Sequence, residues 1–75
     1  MTNDQQTVLD TVIELVQRDG RCAFPVKMVA KYSKIEESKL WSDEEDLILM
    51  QLDNMGYLIV DRRDGSVQLD SDELC

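Results

Sequence analysis

Residues 42–58, SDEEDLILMQLDNMGYL, carry the reading of this chain. Ser42 with Glu45 three positions later has the pattern of a capping box. There a serine side chain accepts from the third helical N–H and the acid side chain accepts from the serine N–H. Leu47, Ile48, Met50, Leu52 and Met55 follow at helical spacing, and Gly56 stands where a helix closes through a left-handed residue. The stretch therefore predicts a helix from Ser42 to the Gly56 stop. Beyond it, YLIVD and SVQL are rich in β-formers. RRDG between them places Asp64-Gly65 at a turn, which predicts a β-hairpin.

Working outward, TVLDTVIELVQR at residues 7–18 repeats Val8, Leu9, Val12, Ile13, Leu15 and Val16 on one helical face. Asn3 or Asp4 can cap this helix and Asp19-Gly20 ends it. RCAFP is short and apolar, and Ala23-Phe24 is held extended because the residue before a proline avoids the α region. Pro25 suits the first turn of a second helix, PVKMVAKYSK, that ends near Ser33. IEESKLW reads as a connection or a single helical turn. The chain divides into a polar lead (residues 1–6), one domain (7–69) and an acidic tail (70–75), with no internal repeat.

The order is helix, short strand, helix, helix, hairpin, an α+β arrangement. The strand CAF leading into Pro25, the short second helix and LDNMGYLIVDRRDGSVQL together resemble the winged-helix (winged helix-turn-helix) superfamily, in particular small bacterial transcription-regulator domains. The resemblance covers residues 7–69. Leu52, Met55, Gly56, Tyr57 and Leu58 match its passage from third helix to wing, and Arg62-Arg63-Asp64-Gly65 stands at the wing tip. It implies three helices, a short strand after the first, and a C-terminal two-stranded wing. It also implies a third helix whose N-terminal half enters the DNA major groove, and wing arginines that contact the backbone or minor groove.

Composition narrows the function. The chain has 75 residues, 43% of them apolar, enough for one small core. No apolar run reaches the 18 or so residues of a membrane span, and the opening MTNDQQT does not read as a signal peptide. A cytoplasmic protein with no membrane contact is expected. There is no histidine, so the commonest acid–base group and metal ligand is missing. The three glycines stand at turn positions rather than in a phosphate loop. Neither an enzyme nor a cofactor or metal is expected. Cys22, within the apolar CAF, reads as a small core residue, and Cys75 as an exposed terminal thiol.

The formal charge is −8. It is unevenly spread: between Arg18 and Lys39 six basic residues stand against three acidic ones, a local balance of +3. Lys27, Lys31 and Lys34 fall on one face of the second helix and its end. With Lys39, Arg62 and Arg63 they are the candidate nucleic-acid contacts; the alternative is a solvated lysine face, with the arginines paired to Asp61 and Asp64. Asp43, Glu44, Glu45 and Asp46 form the opposite set. In a first helical turn they would face the positive end of the helix dipole, but in a DNA-reading pose they would meet phosphate. They are the candidate protein contacts, joined by Trp41, which either staples the helix start or anchors a partner. Met28, Met50 and Met55 read as core filling, and Tyr32 and Tyr57 as core or rim.

Three functions follow as expectations. The first is a regulatory module acting by protein–protein contact with a basic surface, in transcription or nucleic-acid regulation; a homodimer would supply extra buried area. The second is a dimeric DNA-binding transcription regulator using the second helix and the wing. The third is an acidic inhibitor that mimics nucleic acid.

Overall fold

In the computed structural model, which describes residues 1–71, the first helix, α1, spans Asn3–Asp19. Its cap is Thr2, not Asn3 or Asp4. Thr2 Oγ1 accepts from the Gln5 N–H at 3.1 Å and Gln5 Oε1 accepts from the Thr2 N–H at 2.9 Å. The reciprocal pair satisfies two otherwise unbonded donors, so residues 3–6 belong to the helix rather than to a polar lead. α1 buries Val8, Leu9, Val12, Leu15 and Val16 and stops at Gly20, whose φ is 69°.

β1 (Ala23–Pro25) turns Phe24 inward. Pro25 caps α2 (Val26–Ser33) from extended backbone, and the Val26 N–H donates to the Gly65 carbonyl at 2.9 Å. α2 closes at Lys34, held in the left-handed region with φ 62°. IEESKLW contributes one helical turn, α3 (Glu37–Leu40), with Leu40 fully buried.

The next helix departs from expectation. α4 spans Ile48–Asn54 with Leu47 as its N-cap, so residues 42–46 form no helical turn. Ser42 Oγ accepts from the Glu44 N–H at 3.2 Å, a local bend, and not from Glu45 as a capping box requires. Four adjacent carboxylates repel one another inside a helical turn, and Trp41 and Asp46 are drawn towards the hairpin instead. The C-terminal end follows the pattern read from sequence. Gly56 (φ 87°) sits between two bonds: its N–H donates to Asp53 O at 2.9 Å, and Tyr57 N–H donates to Leu52 O at 3.0 Å. That is a Schellman motif with glycine at C′.

β2 (Leu58–Asp61) and β3 (Ser66–Leu69) form the hairpin, with Gly65 left-handed at its turn. Asp61 Oδ1 accepts from the Arg63 and Asp64 N–H groups at 2.9 and 3.4 Å, a side-chain-closed turn. The sheet is antiparallel in the order β1-β3-β2. Phe24, Val67 and Val60 stand in one row facing the helices, and Ala23, Gln68 and Ile59 in the next row face outward. The core joins α1, α2 and α4 to this sheet through Val12, Val29, Leu49, Leu52, Leu58 and Val67.

The architecture is therefore α+β, with four helices among the described residues where three were expected. Smaller corrections follow from burial. Met28 and Met50 are half-buried against the core side, but Met55 is exposed because the Schellman turn carries it out. Of the two readings of Tyr32 and Tyr57, core or rim, the core is excluded, since both are exposed. Cys22 is half-buried at the entry to β1, outside the core, and no described cysteine is a free thiol. Cys75 and most of the acidic tail lie outside the described residues. No described helix is long and apolar enough to cross a membrane.

Two of the left-handed helix ends give opposite expectations. Gly56→Ala should lower stability by about 1–2 kcal/mol, because a Cβ disfavours φ 87° even with open space around it. Lys34→Gly should raise it by up to about 1 kcal/mol by removing that same penalty. Urea midpoints at constant slope read both.

Candidate functional site

The candidate contact residues fall into an acidic loop and a basic helix face. The loop is residues 41–47, strung between the buried side chains of Leu40 and Leu49. Asp43, Glu44, Glu45 and Asp46 are all exposed on it. Its path is fixed from below by Gln51. The Gln51 Nε2 donates to the Asp46 carbonyl at 2.9 Å, and its Oε1 accepts from Gln5 Nε2 at 2.6 Å. One α4 side chain thus ties the loop to α1.

Trp41 starts the loop. It is half-buried and packs against the core. Its ring also lies under the hairpin turn, 3.7 Å from where a Cβ on Gly65 would stand. The ring supports the turn from inside, which is a packing role, while a minor part of the residue's surface stays in solvent.

Above Trp41 the loop and the turn meet through charge. Asp46 Oδ1 accepts from the Arg62 guanidinium at 3.3 Å, across 16 positions of sequence. Both side chains are more than a third exposed, so the pair is worth no more than about 1 kcal/mol. Its interest is positional: the carboxylate holds the arginine that a hairpin tip would offer to phosphate. The expected pairing of the arginines with Asp61 and Asp64 does not occur, because Asp61 is used to close the turn backbone. Arg63 is exposed beside it. Among the described residues, Asp43, Glu44 and Glu45 have no ion pair.

The lysines lie on α2, at its cap and on α3, the turn that leads into the loop. Lys27 and Lys31 are exposed on α2, Lys34 caps it, and Lys39 is exposed on α3. None of the four has an ion pair among the described residues. Lys31 and Arg18 both lie over the Tyr32 ring, at 5.7 and 5.5 Å from its centroid. Arg21 lies 5.5 Å over Phe24 and also approaches Asp19. The Tyr32 cluster was not read from sequence: Arg18 and Tyr32 are 14 positions apart on different helices, and only the α1–α2 packing joins them. The Asp46–Arg62 pair was missed for the same reason. No described group of His, Cys, Asp or Glu side chains converges as a metal site.

Trp41→Ala should cost about 1–3 kcal/mol, less than a fully buried tryptophan because its ring is partly solvated. Asp46→Asn should cost under about 1 kcal/mol. Thermal unfolding followed by far-UV circular dichroism separates the two. An equal loss for both would mean that the ion pair, and not the ring, holds loop and hairpin together. No protein-family model, curated protein or solved structure matches this chain, so its function is argued from its own residues.

Proposed function

We propose that this chain is a small acidic winged-helix regulatory module that works mainly by docking on a basic protein surface, in transcription or nucleic-acid regulation in the cytoplasm. The strand order β1-β3-β2, the helix-bounded β1 and the four-residue turn of the hairpin support the winged-helix reading. One departure bears on its use. The helix in the recognition position, α4, has 7 residues and begins only after the acidic loop.

The observation that carries the reading is the Asp46–Arg62 pair at the head of that loop. The pair engages one of the two arginines that the hairpin turn would offer to phosphate, and Asp43, Glu44 and Glu45 extend the negative charge beyond. Phosphate approaching this end meets repulsion, whereas a lysine- or arginine-rich protein surface meets complementary charge, which favours encounter and register.

A second reading, a dimeric DNA-binding regulator, is favoured by one observation: Lys27, Lys31, Lys34 and Lys39 are exposed and outside any ion pair among the described residues. A titration against random duplex DNA at about 50 and 200 mM salt distinguishes the two, because phosphate contacts weaken steeply over that range. No measurable binding at the lower salt is the expected result. Tight binding that collapses at the higher salt would overturn the docking reading in favour of DNA. Replacing Asp43 to Asp46 by Asn and Gln in the same assay should leave DNA binding absent; a gain would show that the acids serve only to repel DNA.

A further inference from the structure

Among the described residues, the sheet packs its helices on one face and no element covers the other. Ile59 stands on that open face, opposite Gln68 and Ala23. Tyr57 falls on the same side by strand alternation and stays in register, since its carbonyl accepts from the Asp70 N–H at 3.1 Å. Met55 precedes it at the end of α4. These three are 45%, 43% and 48% exposed in the order 55, 57, 59, and are three of the five large exposed apolar side chains among the described residues. Asp61 ends β2 and Asp70 follows β3, bonded through its N–H to Tyr57; both residues are exposed. The cations nearest in sequence are engaged elsewhere: Arg21 over Phe24 and Asp19, Arg62 with Asp46. Arg63 is left at the turn.

The geometry points to this outer face as the seat of a cationic amphipathic helix from a partner protein, an inference that rests on the docking reading above. A helix laid across the outward side chains covers Tyr57 and Ile59 through its own apolar face and needs no backbone bond from the sheet. Strand addition along β2 is the poorer fit. The outward N–H of Val60 already donates to Asp53 Oδ2 at 2.8 Å, and that carboxylate lies along the edge. A second copy of this chain is disfavoured too, since each carries −8 and a symmetric contact would set Asp61 and Asp70 against themselves. Charge complementarity selects lysine or arginine on the flanks of the visiting helix, with leucine-like side chains between.

The test uses the full chain and a leucine–lysine peptide of about 18 residues, five helical turns, beside a scrambled peptide of the same composition that has no apolar face. Isothermal titration of wild type is compared with Tyr57→Thr/Ile59→Thr, which keeps charge and strand preference, and with the Asp43 to Asp46 neutralised chain. Circular dichroism confirms that both variants fold. The amphipathic peptide should bind more tightly than the scrambled one and lose about tenfold in affinity on the double threonine variant. Equal binding of both peptides, weakened only by neutralising the loop, would overturn the outer face and keep the docking reading. No binding of either peptide would overturn both. A dimer by light scattering that the threonine variant dissolves would give the face to a second copy and also overturn the proposal.

Discussion

The pairing of β1 with β3 holds this fold together. It joins residues 23–25 to residues 66–68, so α2, α3, the acidic loop, α4 and β2 all lie inside the closed loop. Closing it costs chain entropy that no local bond returns. The row Phe24–Val67–Val60 is what offsets that cost: it presents an apolar surface to α1 and α2, and Val67 at its centre is fully buried. The hydrogen bond from Val26 to Gly65 then fixes where α2 begins relative to the hairpin turn. A domain of this size has few such rows, and losing one would open the sheet and the helix layer together.

From that closure follows the shape of the acidic loop. Leu40 and Leu49 are both fully buried, and they set the two ends between which residues 41–47 must run. A continuous helix through this segment would stack four carboxylates within little more than one turn. The bend instead lets each carboxylate reach water, puts the Trp41 ring under Gly65 and brings Asp46 to Arg62. Gln51 contributes the remaining constraint by bonding the loop carbonyl and Gln5 at once. The loop is an exposed charged surface on a fixed support.

Charge is partitioned by the same topology. Among the described residues no lysine of α2 or α3 pairs with a carboxylate of the α3–α4 loop, although Lys39 and Asp43 are only four positions apart. Arg18 and Lys31 meet across the α1–α2 contact at Tyr32, which places two cations against one aromatic ring. The net charge thus understates the local contrast that a partner would encounter.

Much of the fold is legible in the chain itself. The six apolar positions of α1, the Gly56 stop with its Schellman bonds, and the hairpin around Asp64-Gly65 are set by short-range periodicity and turn chemistry. Such signals act within a few residues and survive any tertiary context. The start of the fourth helix was misread because Ser42-x-x-Glu45 satisfies a local rule that the tertiary structure overrides, as Trp41 and Asp46 gain more from the hairpin than from a capped turn. The exposure of Tyr57 and Ile59 was present in the strand alternation, yet which face would be left bare depended on where the helices packed. Sequence alone determined the elements and the sign of the charge. Only the tertiary structure decided which charges meet, which strand face stays open and where the acids project, because those outcomes depend on contacts between residues far apart in the chain.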